Sequence, residues 1–341
     1  MAMVHPSWSL DRPLRFATRG SPLARRQCDL VMAMLEAAVP GLSVSPLVVR
    51  TTGDRLVDIP LDRIGGQGVF TKEVQAAVLD GRADVAVHSA KDLPSTTPPG
   101  LCLAAIPERA DPRDALIGRS LGDLVAGATV ATGSARRRAQ LANLRPDLTF
   151  VELRGNMATR VDRVAEGAVD AVVVAMAALD RLGWSDRATE VLSTSVMLPQ
   201  AGQGALALEC RADDAQVLGL LAAIDHAPTH RTVVAERAML EAIGGNCSLP
   251  MAAWAETGLE IGDPAGDPSG DLDGDAAALR LHGMLASGDG RVLVRASLEG
   301  PDPVALGRDL GHLLVSEGGG SAIEGWDQEQ GWDQGGEAND R

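Results

Sequence analysis

The segment from Asp84 to Pro94, DVAVHSAKDLP, concentrates the residues best suited to chemistry in this chain. It begins as a pattern typical of a buried strand, and that strand runs directly into Ser89, Lys91 and Asp92. In parallel α/β sheets, ligands bind beyond the carboxyl ends of the strands, so a hydroxyl, an ammonium and a carboxylate could contact one ligand here. The alternative is a solvated turn closed by Pro94, and the segment alone leaves both interpretations open.

Asp92 is the only acid between His88 and Pro94. Positive neighbours favour the charged form of a carboxyl group, so we expect Asp92 to be ionised at neutral pH. In that form it could stabilise a developing cation or steer a proton. The alternative is an ion pair with a nearby arginine. We expect His88 to be a hydrogen-bonded structural residue rather than an acid or base.

Arginines recur near the predicted starts of helices. A helix start presents free N–H groups and positive potential, and an arginine side chain can donate bidentate hydrogen bonds to a carboxylate or phosphate. Because the chain has no Walker or dinucleotide-binding motif, we predict a polycarboxylate ligand rather than a nucleotide. The arginines are Arg19 before Ser21 and Pro22, Arg136 and Arg137 after Thr132 and Ser134, Arg154 before Gly155, and Arg160 one turn later.

The four cysteines are far apart and form no Cys-x-x-Cys pair or Cys/His cluster, so we expect no metal site. Cys247 follows a Gly-Gly-Asn stretch in a predicted loop, which is an accessible place for a reactive thiol. Cys28, Cys102 and Cys210 lie in apolar patterns, and we interpret them as inert packing.

Strand and helix patterns alternate through the first part of the chain, which predicts βαβ units in a mostly parallel sheet. Ser21 is a plausible helix N-cap with Pro22 in the first turn, and an apolar helical stripe continues to Pro40. Segments rich in proline or glycine near 107–112 and 197–204 divide the region into two α/β lobes. The predicted strands are 14–17, 44–49, 84–87, 129–132, 149–153 and 171–174, and the later predicted helices are 71–79, 136–144 and 157–166.

The last part of the chain has helices beside alternating strands, which predicts a small α+β domain. Its tail after Ser316 is rich in glycine, glutamine and acids and is predicted to be disordered. The predicted elements are a helix at 232–243, strands near 251–255, 279–285 and 292–298, and a helix at 304–315.

The 341 residues have a net charge of −15, and the acidic segments 256–275 and 317–341 carry most of it. This charge argues against non-specific nucleic-acid binding but leaves room for a basic cleft elsewhere. We expect no transmembrane span, because no run of eighteen uncharged apolar residues occurs. The absence of a basic stretch followed by an apolar one favours a cytoplasmic protein over a secreted one.

Eight segments together resemble the porphobilinogen deaminase (hydroxymethylbilane synthase) family. They follow the order of that family, and the resemblance extends from about Leu14 to Val315. The segments are ATRGSPLA at 17–24, GGQGVFTKE at 65–73, ADVAVHSAKDLP at 83–94, ERADPRDA at 108–115, TGSARRRAQL at 132–141, LRGNMATR at 153–160, LPQAGQGALALECR at 198–211 and AERAMLEAIGGNC at 235–247.

The resemblance implies two lobes like those of type II periplasmic binding proteins, with the active-site cleft between them, and a small α+β C-terminal domain. The boundaries we expect are 13–107 with 205–224 for the first lobe, 112–198 for the second, 228–316 for the third domain and 317–341 for the tail. The implied reaction condenses four porphobilinogen molecules head to tail with loss of ammonia. Water then releases hydroxymethylbilane for tetrapyrrole and haem biosynthesis.

The resemblance also implies site residues and partners. A dipyrromethane cofactor would be linked by a thioether to Cys247, and Asp92 would contact pyrrole N–H groups and stabilise the azafulvene-type cation formed on deamination. Porphobilinogen would be the partner of a monomeric, cytoplasmic enzyme that binds neither nucleic acid nor membrane. Residues implied to bind cofactor or substrate are Arg19, Ser21, Lys91, Thr132, Ser134, Arg136, Arg137, Arg154, Gly155, Arg160, Arg181 and Gln203.

The residues alone leave two other classes of protein to consider. A two-lobed carboxylate-binding module without catalysis could use the same fold, but Asp92 together with Cys247 favours an enzyme. A metal-dependent hydrolase has no ligand cluster to support it. Intact mass distinguishes the enzyme from the binding module, because the enzyme should be heavier than its sequence by two pyrrole units.

Overall fold

Three β-sheets with helices packed against them form the part of the chain that the structure describes. This computed structural model describes residues 12–51, 68, 70–153, 155–244, 250–259, 278–320 and 323. The strands are β1 (Leu14–Arg19), β2 (Val44–Val49), β3 (Val85–Ser89), β4 (Leu101–Ala105), β5 (Asp114–Gly118), β6 (Thr129–Ala131), β7 (Thr149–Val151), β8 (Ala171–Ala175), β9 (Glu190–Val191), β10 (Leu206–Arg211), β11 (Met251–Leu259), β12 (Ala278–Ala286) and β13 (Leu293–Gly300). The α-helices are α1 (Pro22–Ala38), α2 (Lys72–Leu79), α3 (Ala135–Leu144), α4 (Met157–Ala165), α5 (Met176–Leu182), α6 (Ala215–Leu221), α7 (Ala227–Ala242) and α8 (Pro303–His312).

The first sheet has the strand order β2-β1-β3-β10-β4. Strand β1 runs parallel to β2 and β3, whereas β10 runs antiparallel to β3 and β4. The prediction of a mostly parallel sheet is confirmed, because four of these five strands run in one direction and β10 alone opposes them. Strand β10 enters this sheet after the chain has passed through the second lobe, and it runs back along β3.

The second sheet repeats this arrangement with the order β7-β6-β8-β5-β9. Here β6 is parallel to β7 and β8, and β5 is antiparallel to β8 and β9. Each sheet thus receives one antiparallel strand, β10 or β5, directly after a crossover from the other lobe. The prediction of two α/β lobes is confirmed.

The third sheet is antiparallel, in the order β11-β12-β13, and helices α7 and α8 lie against it. The two helices pack closely, because a Cβ atom at Gly307 would lie 2.4 Å from the carbonyl oxygen of Ala235. Helix α7 begins at Ala227, earlier than predicted, with Pro228 in its first turn. The α+β domain is confirmed. Ile323 is buried in its core, and the rest of the predicted disordered tail beyond Gly320 lies outside the described residues.

Helix α1 forms as its sequence predicts. The Ser21 hydroxyl accepts a hydrogen bond from the Ala24 N–H at 3.2 Å, which satisfies one of the free donors of the first turn. Gln27, Cys28, Val31 and Leu35 recur every one to four residues and form its buried face. This packing fixes the direction of the helix start relative to the ends of β1 and β3.

Alternating residues of the strands supply two apolar layers in each lobe. In β1, Phe16 packs with Leu35 and Leu208 on one face of the sheet, and Ala17 packs with Val74 on the other. Within the described ranges, no helix combines the length and apolarity needed to cross a membrane.

Candidate functional site

Strand β3 ends at Ser89 and leads into a 3₁₀ turn over Ala90–Asp92. The turn lies at the edge of the first sheet where the parallel strands β1 and β3 both end, which is where ligands bind in such sheets. Asp92 is exposed, and its carboxylate has no hydrogen-bond or ion-pair partner among the described residues. Asp92 shares a pocket with Arg19, Ser21 and Ser89.

The start of α1 forms the opposite wall of this pocket. The guanidinium carbon of Arg19 lies 4.1 Å from the centre of the Phe70 ring, in cation–π contact. The Nε2 group of Gln27 donates to the Ser89 hydroxyl at 2.8 Å. These contacts orient the two sides of the pocket toward each other. Sequence reasoning missed Gln27 as a site residue, although its position three residues after Ala24 and four after Leu23 places it on the same face of α1.

A fully buried carboxylate, Asp114, organises the arginines of the second lobe. The Nε and Nη2 groups of Arg137 donate to its Oδ1 atom at 3.0 and 2.7 Å. The Nη2 atom of Arg136 forms an ion pair with its Oδ2 atom at 2.8 Å. Burial alone would raise the pKa of Asp114, but the charges of Arg136 and Arg137 lower it to about 2. Asp114 is therefore ionised throughout the physiological range.

The two arginines differ in whether a guanidinium nitrogen remains available to a ligand. Arg137 uses its third nitrogen, Nη1, to donate to the carbonyl of Val173 at 3.0 Å, so every guanidinium nitrogen has an internal partner. Arg136 donates from Nη1 to the carbonyl of Leu198 at 2.6 Å, but its buried Nε has no hydrogen-bond partner among the described residues. A buried donor of this kind is costly unless a ligand satisfies it.

Gln203 joins this carboxylate to the first lobe. Its Nε2 group donates to Asp114 Oδ1 at 2.8 Å, and its Oε1 atom accepts from the Lys91 ammonium at 3.1 Å. Burial and then the charge of Arg137 lower the pKa of Lys91 to about 8. The predicted residues Lys91, Gln203, Arg136 and Arg137 thus form one hydrogen-bonded network across the lobes.

The remaining predicted residues of the second lobe lie at helix starts and at the crossover. The Ser134 hydroxyl accepts from the Arg137 N–H at 3.4 Å, and the Thr132 hydroxyl accepts from the Ser134 N–H at 3.2 Å. Arg181 donates to the carbonyl of Gly204 at 2.6 Å, and burial lowers its pKa to about 10.

Gly155 and Arg160 shape the turn before α4. Arg160 Nε donates to the carbonyl of Gly155 at 3.1 Å. Gly155 has a φ of 96°, and a Cβ atom there would lie 2.9 Å from Thr159, so this turn requires glycine. Arg154 and Cys247 lie outside the described residues.

A second buried carboxylate, Glu236, was also missed by the sequence analysis. It accepts from both terminal nitrogens of Arg109 at 2.6 and 3.1 Å. It also accepts from the N–H groups of Gly202 and Ala255 at 2.6 and 2.8 Å. Glu236 on α7 therefore ties both crossovers to the third domain. The ERADPRDA segment contains Arg109 and Asp114, but their partners lie far along the chain.

Cations outnumber carboxylates in the network that joins the lobes. Lys91, Arg136 and Arg137 surround Asp114, so the buried group carries excess positive charge while Lys91 is protonated. Such an excess is stabilised by an anionic ligand. The arrangement can bind carboxylates beside Arg136 and Lys91, and the exposed Asp92 carboxylate can stabilise positive charge in the pocket that it shares with Arg19.

Comparisons with known proteins match nearly all of the chain. The family model described as "Porphobilinogen deaminase, dipyromethane cofactor binding domain" matches residues 14–219, and the model of the C-terminal domain of that enzyme matches residues 230–316. Porphobilinogen deaminase from Syntrophobacter fumaroxidans is 43% identical over 319 residues, which cover 92% of this chain and 98% of that protein. The enzyme from Roseiflexus sp. (strain RS-1) is 44% identical over 93% of this chain and 100% of that protein.

Among solved structures, a substrate-binding domain of a putative amino acid ABC transporter from Streptococcus pneumoniae is similar in part. It is 13% identical with a TM-score of 0.41, and the match covers 69% of this chain and 96% of that one. The two-lobed fold follows from the strand order of the two five-stranded sheets.

Proposed function

The chain belongs to the porphobilinogen deaminase family, and we propose that the polar cluster joining its two larger sheets is the active site. The protein is a transferase of tetrapyrrole and haem biosynthesis, a hydroxymethylbilane synthase. It condenses four porphobilinogen molecules head to tail with loss of ammonia and then releases hydroxymethylbilane by hydrolysis. Its cofactor is dipyrromethane.

The observation that carries this site assignment is the buried excess of positive charge around Asp114. The unpartnered Nε of Arg136 and the ammonium of Lys91 are donors suited to carboxylates, and both belong to the same network. Dipyrromethane and porphobilinogen carry acetate and propionate groups, so the residues present fit the cofactor. When bound, dipyrromethane supplies the terminal pyrrole ring to which the first substrate is joined.

The cations have the role of holding carboxylates. We assign this role to Arg19, Lys91, Arg136, Arg154, Arg160 and Arg181, with hydrogen bonds from Ser21, Thr132, Ser134, Gln203 and the backbone of Gly155. Arg137 contributes differently, because all three of its guanidinium nitrogens have internal partners. We propose that it fixes Asp114, which in turn orients Arg136.

Asp92 has the role of the catalytic carboxylate. Loss of ammonia from porphobilinogen leaves a cation delocalised over the pyrrole ring, and a fixed negative charge nearby lowers the energy of that cation. Two features of Asp92 support this role. It is exposed in the pocket beside Arg19 and Ser21, and none of the described residues forms a hydrogen bond or ion pair with its carboxylate.

Cys247 has the role of cofactor attachment. It lies outside the described residues, but two of the three other cysteines are poorly suited. Cys28 and Cys210 are fully buried, and burial raises the pKa of each thiol to about 12. Thiolates are the reactive form, so neither is placed to form a thioether with a bulky pyrrole.

The test is the intact mass of the denatured holoenzyme together with its hydroxymethylbilane synthase activity. We expect wild type to be heavier than its sequence by two pyrrole units and Cys247→Ser to have the sequence mass and no activity. Cys28→Ser is the matched control and should keep the extra mass. Extra mass retained in Cys247→Ser would overturn the attachment site, and sequence mass in an active wild type would overturn the covalent cofactor.

We further propose that the three sheets are three domains with the boundaries 13–107 plus 205–224, 112–198 and 228–316. A monomer is the expected state, because the proposed site is built from one chain. The described cysteines are free thiols, which suits a reducing compartment such as the cytoplasm.

A further inference from the structure

Cys102 and Cys210 lie directly opposite each other on β4 and β10. Two residues further on, the Ala212 N–H donates to the carbonyl of Gly100 at 3.0 Å, which marks a hydrogen-bonded pair of the ladder. Because such pairs alternate in antiparallel sheets, the two cysteines also occupy a hydrogen-bonded position, where Cα atoms are about 5.5 Å apart. Disulfides join Cα atoms roughly 4.4–6.8 Å apart, so this Cα spacing is within their range. Side chains at hydrogen-bonded pairs lie farther apart than at the alternate pairs, so the bond would draw the two strands closer and would be readily reduced.

The side chains of the two cysteines share one face of the sheet. Both pack in the apolar layer that contains Leu208 and Val217. The Sγ atom of Cys102 lies 3.9 Å from the carbonyl oxygen of Cys210. The two sulfur atoms therefore need no change of face or register to meet.

The two thiols differ in access. Strand β4 is at the edge of the first sheet, and Cys102 is partly exposed there. Cys210 is fully buried on the inner strand, and burial, followed by the nearby Cys102 thiol, raises its pKa to about 12. Cys102 is thus the thiol that a small oxidant in solvent reaches first.

We propose that Cys102 and Cys210 form a dithiol that hydrogen peroxide converts into a cross-strand disulfide. The Cys102 thiolate attacks one peroxide oxygen, which breaks the O–O bond and gives a sulfenic acid and, after protonation, one water. The Cys210 sulfur then attacks the Cys102 sulfur and displaces hydroxide, which takes the Cys210 proton and leaves as a second water. Two thiols are oxidised and one peroxide is reduced. This departs from the sequence interpretation of both residues as inert packing.

The position of the bond gives it a defined structural consequence. Strand β4 ends at Ala105, just before the first crossover, and β10 begins at Leu206, just after the second. Cys210 pairs with Val85 on its other side, whereas Leu206 pairs with Ser89 beside the proposed active site. The disulfide would therefore fasten the two crossover strands together at the end remote from the catalytic residues.

The test is peptide mapping of the intact holoenzyme after exposure to hydrogen peroxide and blocking of free thiols. Trypsin would release Cys102 within residues 92–109 and Cys210 within residues 188–211. We expect these two peptides to be linked after oxidation, with a mass two hydrogens below their sum, and to separate on reduction. Cys102→Ser and Cys210→Ser should each abolish the linked species.

Cys28→Ser is the matched control, because Cys28 is equally buried but lies on α1, and its linked species should match wild type. If wild type gives no linked peptide while the free Cys102 thiol is consumed, or if Cys102 instead links to Cys28, the proposal is overturned. A linked peptide that persists in Cys210→Ser would overturn the assignment of the second thiol.

Discussion

The two five-stranded sheets have one topology but different tasks. In each, an aspartate directly before the central strand accepts a hydrogen bond from the backbone of the neighbouring strand. Asp84 accepts from the Arg15 N–H at 2.9 Å, and Asp170 accepts from the Thr129 N–H at 2.8 Å. This shared anchor aligns the two lobes residue by residue, so that their differences can be compared at equivalent positions.

The two lobes differ most in the residues that follow the central strand of each sheet. In the first lobe β3 leads to Lys91 and Asp92, whereas the equivalent residues after β8 are Ala177 and Ala178. We infer that only the first lobe presents groups for catalysis at this edge. The second lobe presents apolar residues at this edge, and its cations come instead from the first turn of α3.

The cations also differ in how they are held. Arg19 of the first lobe precedes its helix, whereas Arg136 and Arg137 of the second lobe lie inside the first turn of α3. The registers of β5 and β10 make Asp114 equivalent to Leu206. A carboxylate replaces an apolar residue in the lobe whose arginines are buried, which indicates that Asp114 is present for those arginines rather than for the fold.

Asp114→Asn should have the largest effect on stability. It leaves two buried guanidinium groups without a counter-charge, and breaking a buried ion pair in this way costs about 3–5 kcal/mol. Urea unfolding at neutral pH measures the loss. Asp111→Asn is the control, because Asp111 pairs with the exposed Arg113, and such pairs contribute about 0–1 kcal/mol. Equal losses in the two variants would contradict the special role of the buried carboxylate.

Asp92→Asn should have the largest effect on rate with little effect on folding. The amide keeps the shape of the side chain but cannot stabilise a cation as a carboxylate does, and one such group is worth on the order of 10²–10³ in rate. Single-turnover addition by enzyme loaded with preformed cofactor measures the loss, and equilibrium binding measures substrate affinity. Asp80→Asn, an exposed aspartate of the same lobe, should match wild type. A fall in affinity alone would make Asp92 a binding residue.

Asp84→Asn and Asp170→Asn test how much the equivalent aspartates of the two lobes stabilise the fold when one is buried and the other is partly exposed. Burial would raise the pKa of Asp84, but hydrogen bonds from Arg12 and Arg15 lower it to about 2. Because its folded pKa is depressed, its contribution is present above the ordinary value near 3.8 and is lost as pH falls toward 2. We expect Asp84→Asn to cost about 2 kcal/mol at pH 7 and progressively less below pH 4.

Asp170 is the partly exposed counterpart, 3.5 Å from Arg119, and Asp170→Asn should cost about 1 kcal/mol or less. Urea unfolding at a series of pH values distinguishes the two. Losses of the same size and pH dependence would mean that the two anchors are equivalent despite their different burial.

Local signals predicted the elements that begin the lobes. The Ser21 cap, Pro22 and the apolar stripe predicted α1, and the predicted strand at 44–49 has the observed bounds of β2. The segment before Lys91 was recognised as the end of a strand because apolar residues give way abruptly to polar ones. These signals are contained within a few residues of one another.

What could not be predicted depends on residues that are distant in sequence. Nothing near Asp114 indicates that Arg136, Arg137 and Gln203 will surround it, because folding brings them in from a later helix of the same lobe and from the second crossover. The antiparallel strands β5 and β10 were missed for the same reason. Their direction is set by where the chain re-enters each sheet, and a short apolar run carries no direction.

Ser21 and Ser134 offer the finest comparison between the lobes, because each is the N-cap of the first helix of its lobe and each is proposed to bind a substrate carboxylate. Replacing either by alanine should cost about 1 kcal/mol of stability, since a free N–H of the first turn loses its acceptor. Aspartate is as good an N-cap as serine and also suits the helix dipole, so Ser21→Asp and Ser134→Asp should restore that stability.

The aspartate would nevertheless place a negative charge where the substrate carboxylate is proposed to bind. If the hydroxyls act on substrate, the aspartate variants will be stable but will have a higher KM than the alanine variants. If they act only as caps, the aspartate variants will match wild type in both stability and KM, and the lobe where that happens has no ligand at its helix start.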